Sequence, residues 1–481
     1  MFAMPKPAPV PASERIDILD TTRGIAVLGI LLLNITGFGL PYAYEDPTNW
    51  GGHEGKNLIA WRISSLFFEG TMRGLFTLLF GAGVILFLDR HRQRNPDAPI
   101  AKLYYRRTIL LIGFGLINGY LFLWDGDILF YYGVIGLLLY FFRNLSARTL
   151  LVAATIVLVL QIGVAVYEYA DYARVRDVAK AAQAVQDAGQ ERAMIHRDDA
   201  DAYRAINEYE AYQQDFKPSY SQLERTIEVV RESYASALDY IKQRTFFVQT
   251  SYFVRHGVGD ILSFMLLGMA LLKTGILTGA AQRRTYAWMA LVGYTIGLTI
   301  NAFELVSFER ADFSVDALMQ SYLTYDLGRL PMTFGHLGAI MLLYKYGAFP
   351  KAQRVLGAVG RMALTNYLAH SVICLFVFTG AGLALYGQLE RYQLYYVVLA
   401  IWIAQLVWSP LWLNRFRFGP AEWVWRRLTY GRERRAESAL QSAAPSPSYP
   451  PPQVAYPSDN ASHAPIATPN RRDSGDSPED R

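Results

Sequence analysis

The chain has a single cysteine among its 481 residues, Cys374, and it falls inside an apolar stretch. One thiol excludes an intramolecular disulfide and a cysteine-based metal cluster. Charge is also scarce: Asp, Glu, Lys and Arg together make up 18% of the residues, where a soluble domain carries about 25%. There is no phosphate loop and no Gly-x-Ser-x-Gly. No His-x-x-x-His or Glu-x-x-His spacing occurs, so no metal site is expected. The first nineteen residues are polar, with Pro and Lys, and do not follow the basic, apolar and cleavage-site order of a signal peptide. The first apolar segment is therefore expected to stay uncleaved. A net charge of +5 does not point to nucleic acid, because the basic residues cluster in loops beside apolar segments, where they orient helices.

What fills the chain is apolar: 52% of the residues are hydrophobic. Ten long apolar stretches recur, near Ile25–Tyr42, Leu66–Leu88, Thr108–Trp124, Ile128–Phe142, Thr149–Tyr167, Gly257–Leu277, Tyr286–Leu305, Leu323–Tyr346, Met362–Leu385 and Leu394–Trp412. Crossing a hydrocarbon core of roughly 30 Å takes about 20 helical residues. In lipid each segment must satisfy its own backbone polar groups, which selects helix. The fold class read from the sequence is an all-α polytopic membrane protein of about ten spans.

The loops alternate in charge. Arg90, Arg92, Arg94, Lys102, Arg106 and Arg107 follow the second stretch, and Arg143 and Arg148 follow the fourth. Lys273, Arg283 and Arg284 follow the sixth, and Lys351 and Arg354 follow the eighth. Arg415, Arg417, Arg426, Arg427, Arg432, Arg434 and Arg435 follow the tenth. The intervening loops are poor in base or acidic. The positive-inside rule then predicts both termini in the cytoplasm. Residues 1–168 and 251–430 read as two membrane halves of five helices each. Residues 169–250 read as an external insert of two or more amphipathic helices divided at Pro218, with a tyrosine series (Tyr169, Tyr172, Tyr203, Tyr209, Tyr212, Tyr220). Residues 431–481, rich in Ser and Pro, read as a disordered cytoplasmic tail. Five helices per half would place the halves in opposite orientations, as in inverted-repeat transporters. No residue-level similarity between the halves accompanies that arithmetic.

Polar residues in or beside the spans each carry a structural and a functional reading, because intramembrane charge needs a partner or a wet cavity. Asp20 and Arg23, three apart on one helical face, suit an ion pair or a polar floor for an anionic group. Asn34 and Asn118 suit interhelical hydrogen bonds, and Gly115 and Gly119 allow close approach around Asn118. Asp127 can cap the helix that begins at Ile128. Asp125 is less easily explained as a cap, and paired carboxylates can also do acid–base work. Asp326, Arg329, Pro331 and His336 open the eighth stretch. Asn366 and His370 share one face of the ninth. Gly81 and Gly83 read as small packing residues, and His53 as an exposed loop residue.

Several motifs in order resemble one family. They are Leu19-Asp20-Thr21-Thr22-Arg23-Gly24 running on to Asn34 and Gly39-Leu40-Pro41, Leu75–Gly83, and Trp124-Asp125-Gly126-Asp127-Ile128-Leu129 with Tyr132-Gly133. Met362–Leu368 and Phe418–Arg426 complete the set. Together they resemble YeiB-type bacterial membrane proteins, including their C-terminal domain of unknown function, over nearly everything from Arg15 to Tyr430. The resemblance implies a bacterial inner-membrane protein. Its N-terminal pattern is similar, more distantly, to membrane acyltransferases of the heparan-glucosaminide acetyltransferase type. That similarity implies acyl-CoA as a cytoplasmic donor and a glycan or small-molecule acceptor on the far side. On this reading Asp20, Arg23, Asn34, Asn118, Arg329 and Asn366 bind ligand. His336 or His370 acts as general base, and Asp125 and Asp127 hold the acceptor. One departure stands out: family members often have His where this chain has Asn118, and Asn cannot act as a base. The competing expectations are a transporter, suited by the five-plus-five arrangement and Pro331, and a non-enzymatic regulatory membrane protein.

Overall fold

The structure is a computed structural model and describes residues 17–94, 100–187 and 200–431. The expected tail and the N-terminal basic residues lie outside the described residues. Among the described residues every regular element is helical. Six helical runs among the described residues are long and apolar enough to cross a membrane: Asp17–Gly39, Gly55–Gln93, Ala147–Ala184, Tyr234–Lys273, Arg283–Arg310 and Arg391–Arg415. A seventh is formed if the bent pair Pro350–Arg361 and Ala363–Phe378 counts as one. The most apolar window of Ala147–Ala184 is only 11% buried, against 67% in the first run. An apolar helix that the protein itself leaves uncovered is solvated by lipid. The chain is a multi-pass α-helical membrane protein.

Three of the ten expected stretches form helices that fall short by length or charge. The fourth, Leu129–Phe142, has 14 residues, about 21 Å of helix. Ile100–Tyr120 carries Lys102, Arg106 and Arg107, and Tyr325–Lys345 carries Asp326 and Arg329.

The helices are numbered in chain order. The first is α1 (Asp17–Gly39), followed by α2 (Gly55–Phe67), α3 (Thr71–Arg94), α4 (Ile100–Tyr120), α5 (Leu129–Phe142) and α6 (Ala147–Asp187). The insert then holds α7 (Ala200–Phe216), α8 (Tyr220–Glu232) and α9 (Tyr234–Phe247), and Pro218 stands between α7 and α8 as expected. A ten-residue π-helical segment, Val248–Gly257, leads without a break into α10 (Val258–Lys273). After α11 (Arg283–Arg310) come α12 (Val315–Ser321), α13 (Tyr325–Lys345), α14 (Pro350–Arg361), α15 (Ala363–Phe378), α16 (Arg391–Arg415) and α17 (Pro420–Tyr430).

The insert is not a detached hairpin. α6 continues 19 residues past the expected boundary at 168. Part of the tyrosine series (Tyr169, Tyr172, Tyr209 and Tyr212) packs in a small core with Val315 and Met319 of α12, while Tyr203 and Tyr220 are exposed. Tyr172 is fully buried and packs edge-on to Tyr212 with ring centres 5.2 Å apart. Its hydroxyl donates to Asp316 at the start of α12. Asn49, in the loop after α1, donates to the Phe216 carbonyl at 2.7 Å, and Gly380 N–H donates to the Val230 carbonyl at 3.0 Å. The insert thus caps one end of the bundle.

Glycines set the closest helix crossings. A Cβ on Gly81 would overlap the Met265 carbonyl, and one on Gly268 would overlap that of Leu78. The α3 and α10 backbones therefore touch, as small-residue packing in lipid allows. At the opposite end from the cap, Gly24 and Gly360 do the same for α1 and α14.

Candidate functional site

The α3–α10 crossing brings two charges that lie within apolar stretches into one cluster. Arg73, in the first turn of α3, pairs with Asp260, in the first turn of α10, at 2.9 Å. Arg329 of α13 pairs with the other oxygen of Asp260 at 2.7 Å and also with Asp326. Arg329 is 2% exposed, and its Nε has no partner. Gly70 makes this possible. Its φ of +65° suits glycine, and a Cβ there would overlap the Tyr325 hydroxyl and the Arg329 side chain. The break at Glu69-Gly70 between α2 and α3 therefore lets the start of α3 press against α13.

Above this cluster the structure opens. Tyr44 and Tyr252 keep 38% and 43% of their surface accessible to water, although both lie deep within the protein's mass. The Arg73 side chain is likewise 32% accessible. Accessible surface crowded by neighbouring elements lines a polar recess, or chamber. Its walls come from the loop after α1 (Tyr44, Glu45), the α2–α3 break (Glu69, Arg73), the π-helical segment (Tyr252) and the start of α13 (Tyr325). The Tyr44 hydroxyl donates to Glu69 at 3.4 Å, and Arg73 donates to the Tyr325 hydroxyl at 3.4 Å. Burial pushes the Glu45 carboxyl above its ordinary range. Burial, joined by the neighbouring Glu69 carboxylate, pushes the Tyr44 hydroxyl well up. Next to the chamber is a cavity of about 60 Å³, lined in part by Tyr42, Tyr44, Asp125, Arg244 and Tyr386. Asp125 there is paired with Arg244 of α9. That volume suits one or two waters.

Charge counting describes the chamber's chemistry. Arg73 and Arg329 are shared out between Asp260 and Asp326, and Arg244 is taken by Asp125. Glu45 and Glu69 remain in excess, beside several tyrosine rings. Such a wall offers acceptors to hydroxyl and amine donors, and carboxyls for proton transfer.

The residues singled out from the sequence fall into separate networks. Asp20 and Arg23 form their ion pair at 2.7 Å, at the end opposite the cap. Asn118 donates to Asp127 at 2.8 Å, and Asp127 accepts the Phe130 N–H at 2.8 Å, capping α5. Tyr367 bridges the same site, taking the Ile128 N–H at 3.1 Å. Asn366 donates to the Val359 carbonyl at 3.1 Å across the 76° bend between α14 and α15, and Trp408 donates to Asn366 at 2.8 Å. His370 meets Gln405 at 3.0 Å, and Gln405 returns to the Asn366 carbonyl at 2.9 Å. His336 bonds to the Tyr294 hydroxyl at 3.0 Å and to the Phe67 carbonyl at 2.8 Å. The two histidines therefore belong to different helix pairs. Asn34 is half-buried on α1 and bonds to none of the other candidates. Of the sequence candidates, Arg329 lies in the chamber's charged base and Asp125 in the adjoining cavity. Glu69, Arg73 and Asp260 were not singled out, although a charge inside an apolar stretch is itself a signal.

These observations define a multi-pass helical membrane protein with a polar chamber beneath a helical cap. Residues 271–432 match the family model described as Protein of unknown function (DUF418). Over 422 residues the chain is 31% identical to YeiB of Escherichia coli strain K12, covering 86% of this chain and 96% of that protein. It is 29% identical over 435 residues to YxaH of Bacillus subtilis strain 168, covering 88% and 96%. The chain belongs to the YeiB-type family of membrane proteins. No solved structure matches it.

Proposed function

We propose that the chamber binds a hydroxyl- or amine-bearing small molecule, and that the protein transfers to it an acyl group from a cytoplasmic acyl-CoA. The protein then sits in the bacterial inner membrane with about ten spans, both termini in the cytoplasm and the cap outside. The observation that carries the binding reading is the set of water-accessible Tyr44, Tyr252 and Arg73 side chains deep under the cap. Surplus carboxylates there, Glu45 and Glu69, accept from the ligand's donors, and Arg73 donates to the Tyr325 hydroxyl beside them. The acyl-transfer step rests on the resemblance around Asp20 and Arg23. In that step the acceptor loses its proton to a chamber carboxyl, its oxygen or nitrogen bonds to the acyl carbon, and the thiolate leaves with a proton. The chamber carboxyls stand in for the two histidines, which the helix packing holds elsewhere.

Transport is the alternative outcome, and one experiment separates them. Proteoliposomes holding radiolabelled acetyl-CoA inside are supplied with an amino-sugar mixture outside. Acyl transfer predicts labelled acceptor outside, lost by at least tenfold in Glu69→Gln and Arg73→Ala. Uptake of unmodified sugar, with acetyl-CoA unconsumed, would replace the transfer reading with transport.

A further inference from the structure

Three carboxylates meet in the chamber without a cation of their own. Glu45 is exposed, and Glu69 and Glu304 are half-buried. Glu69 accepts the Tyr44 hydroxyl at 3.4 Å, and Glu45 lies beside the Tyr322 hydroxyl between α12 and α13. Glu304 reaches in from α11 and accepts the Thr324 hydroxyl at the start of α13. The three are near neighbours: the Glu45 charge acts on Glu69, and the Glu69 charge on Glu304. Among the described residues no Lys or Arg forms an ion pair with any of them. Arg73 and Arg329, whose charges also reach Glu69, are bonded to Asp260 and Asp326, and Arg244 to Asp125. One hydroxyl donor fills only a fraction of the acceptor sites on a carboxylate. Gathering like charges in a partly desolvated place is unfavourable unless protons or a cation join them. Tyrosine rings around the chamber already support cations: Arg329 lies 4.9 Å from the Tyr325 ring centre and Arg244 5.8 Å from that of Tyr42. Among the described residues no Lys or Arg lies over the two accessible rings, Tyr44 and Tyr252. Arg329 itself, 2% exposed, keeps an Nε–H without a partner. Its Cδ is an atom that a Cβ on Gly70 would overlap, which places that free donor at the Glu69-Gly70 wall. A buried donor left unpaired is costly and calls for an oxygen acceptor.

We propose that the chamber takes a small organic cation, an ammonium group with an oxygen close to it, seated among Glu45, Glu69, Glu304 and the rings of Tyr44 and Tyr252. The carboxylates supply the charge, the rings supply cation–π support, and the Arg329 N–H supplies a donor for the oxygen. The inference rests on the reading of the chamber as a binding site and does not need the acyl transfer. The same ammonium and oxygen are carried by a free amino alcohol and by a zwitterionic phospholipid headgroup.

The test is the melting temperature of the full chain in a polyoxyethylene detergent, which carries neither sugar nor charge. Ethanolamine, ethylamine and ethylene glycol are titrated at constant ionic strength set with sodium chloride, and a separate series adds phosphatidylethanolamine. Ligand binding to the folded state raises the melting temperature. Ethanolamine should raise it by several degrees. Ethylamine, which lacks the oxygen, should half-saturate at about tenfold higher concentration, and ethylene glycol should have no effect. A rise with phosphatidylethanolamine alone supports the site and assigns it to a headgroup. Glu69→Gln and Glu304→Gln should each weaken ethanolamine binding at least tenfold. Their baseline melting temperatures should hold or rise, because each removes a carboxylate that its neighbours repel. Glu54→Gln, which removes the same charge from an exposed loop, should leave binding unchanged. No rise with any amine, an equal rise with ethylene glycol, or a rise that both chamber variants leave unchanged overturns the inference. An equal rise with ethylene glycol would still keep the chamber as a binding site. Ethanolamine binding with no labelled acceptor formed in the proteoliposomes would keep the cation site and remove the acyl transfer.

Discussion

At the capped end of the bundle Arg73 and Arg329 are held by carboxylates; at the opposite end Arg107 is held by aromatic rings. Arg73 and Arg329 share Asp260, with Asp326 closing the set. Arg107 lies instead over Trp425, 3.8 Å from the ring centre. A carboxylate neutralises a cation and fills its donor edge. A ring supports the cation without neutralising it, and leaves the edge for something else. The first arrangement builds a rigid charged floor whose spare acceptors face a chamber. The second leaves the Arg107 guanidinium without a carboxylate partner among the described residues.

The comparison predicts unequal costs for removing an arginine. Arg329→Ala leaves Asp260 and Asp326 buried with one cation between them. Breaking a buried pair costs about 3–5 kcal/mol, so this variant should show a large fall in the melting temperature of the detergent-purified protein. Arg23→Ala breaks a single pair whose side chains are 27% and 17% exposed, and should cost about 1 kcal/mol or less. Equal losses in the two variants would break the distinction between a structural floor and a partly exposed mouth.

A smaller effect sharpens how the cap is fastened. Burial pushes the Asp316 carboxyl up, but hydrogen bonds from Lys180 and Tyr172 outweigh it and hold the carboxyl below its ordinary value. A carboxyl lowered in the folded state contributes stability that is present above its unfolded value and lost as pH falls through the folded one. Limited proteolysis of the insert should therefore speed up at acidic pH in the native protein. Asp316→Asn should cleave faster at neutral pH and lose most of that pH dependence. The same pH profile in both would mean that another group governs the fastening.

How much of this was legible in the sequence depends on the kind of signal. The helical class followed from apolar runs, because a lipid-exposed segment such as the first half of α6 must be apolar. The cap of α5 by Asp127 was also readable, since a carboxylate before a helix start has a local role. The chamber was not. Glu69, Arg73 and Asp260 sit inside stretches that read as apolar by average. What joins them is the non-local crossing at Gly81 and Gly268 together with the turn at Gly70. Sequence places His336 and His370 as equal candidates for a base. The structure separates them, because which helices pair is decided by packing between distant segments.

On the proposed topology the polar chamber is wet and opens on the capped side, outside the cytoplasm. In a Cys374→Ser background, Tyr252→Cys would be exposed in intact cells to a membrane-impermeant maleimide. The account predicts rapid labelling of Cys at 252 from outside, with Phe264→Cys, in the closed core below, unlabelled. Labelling at 252 only after the cytoplasmic face is opened, or no labelling at all in a folded variant, would contradict it.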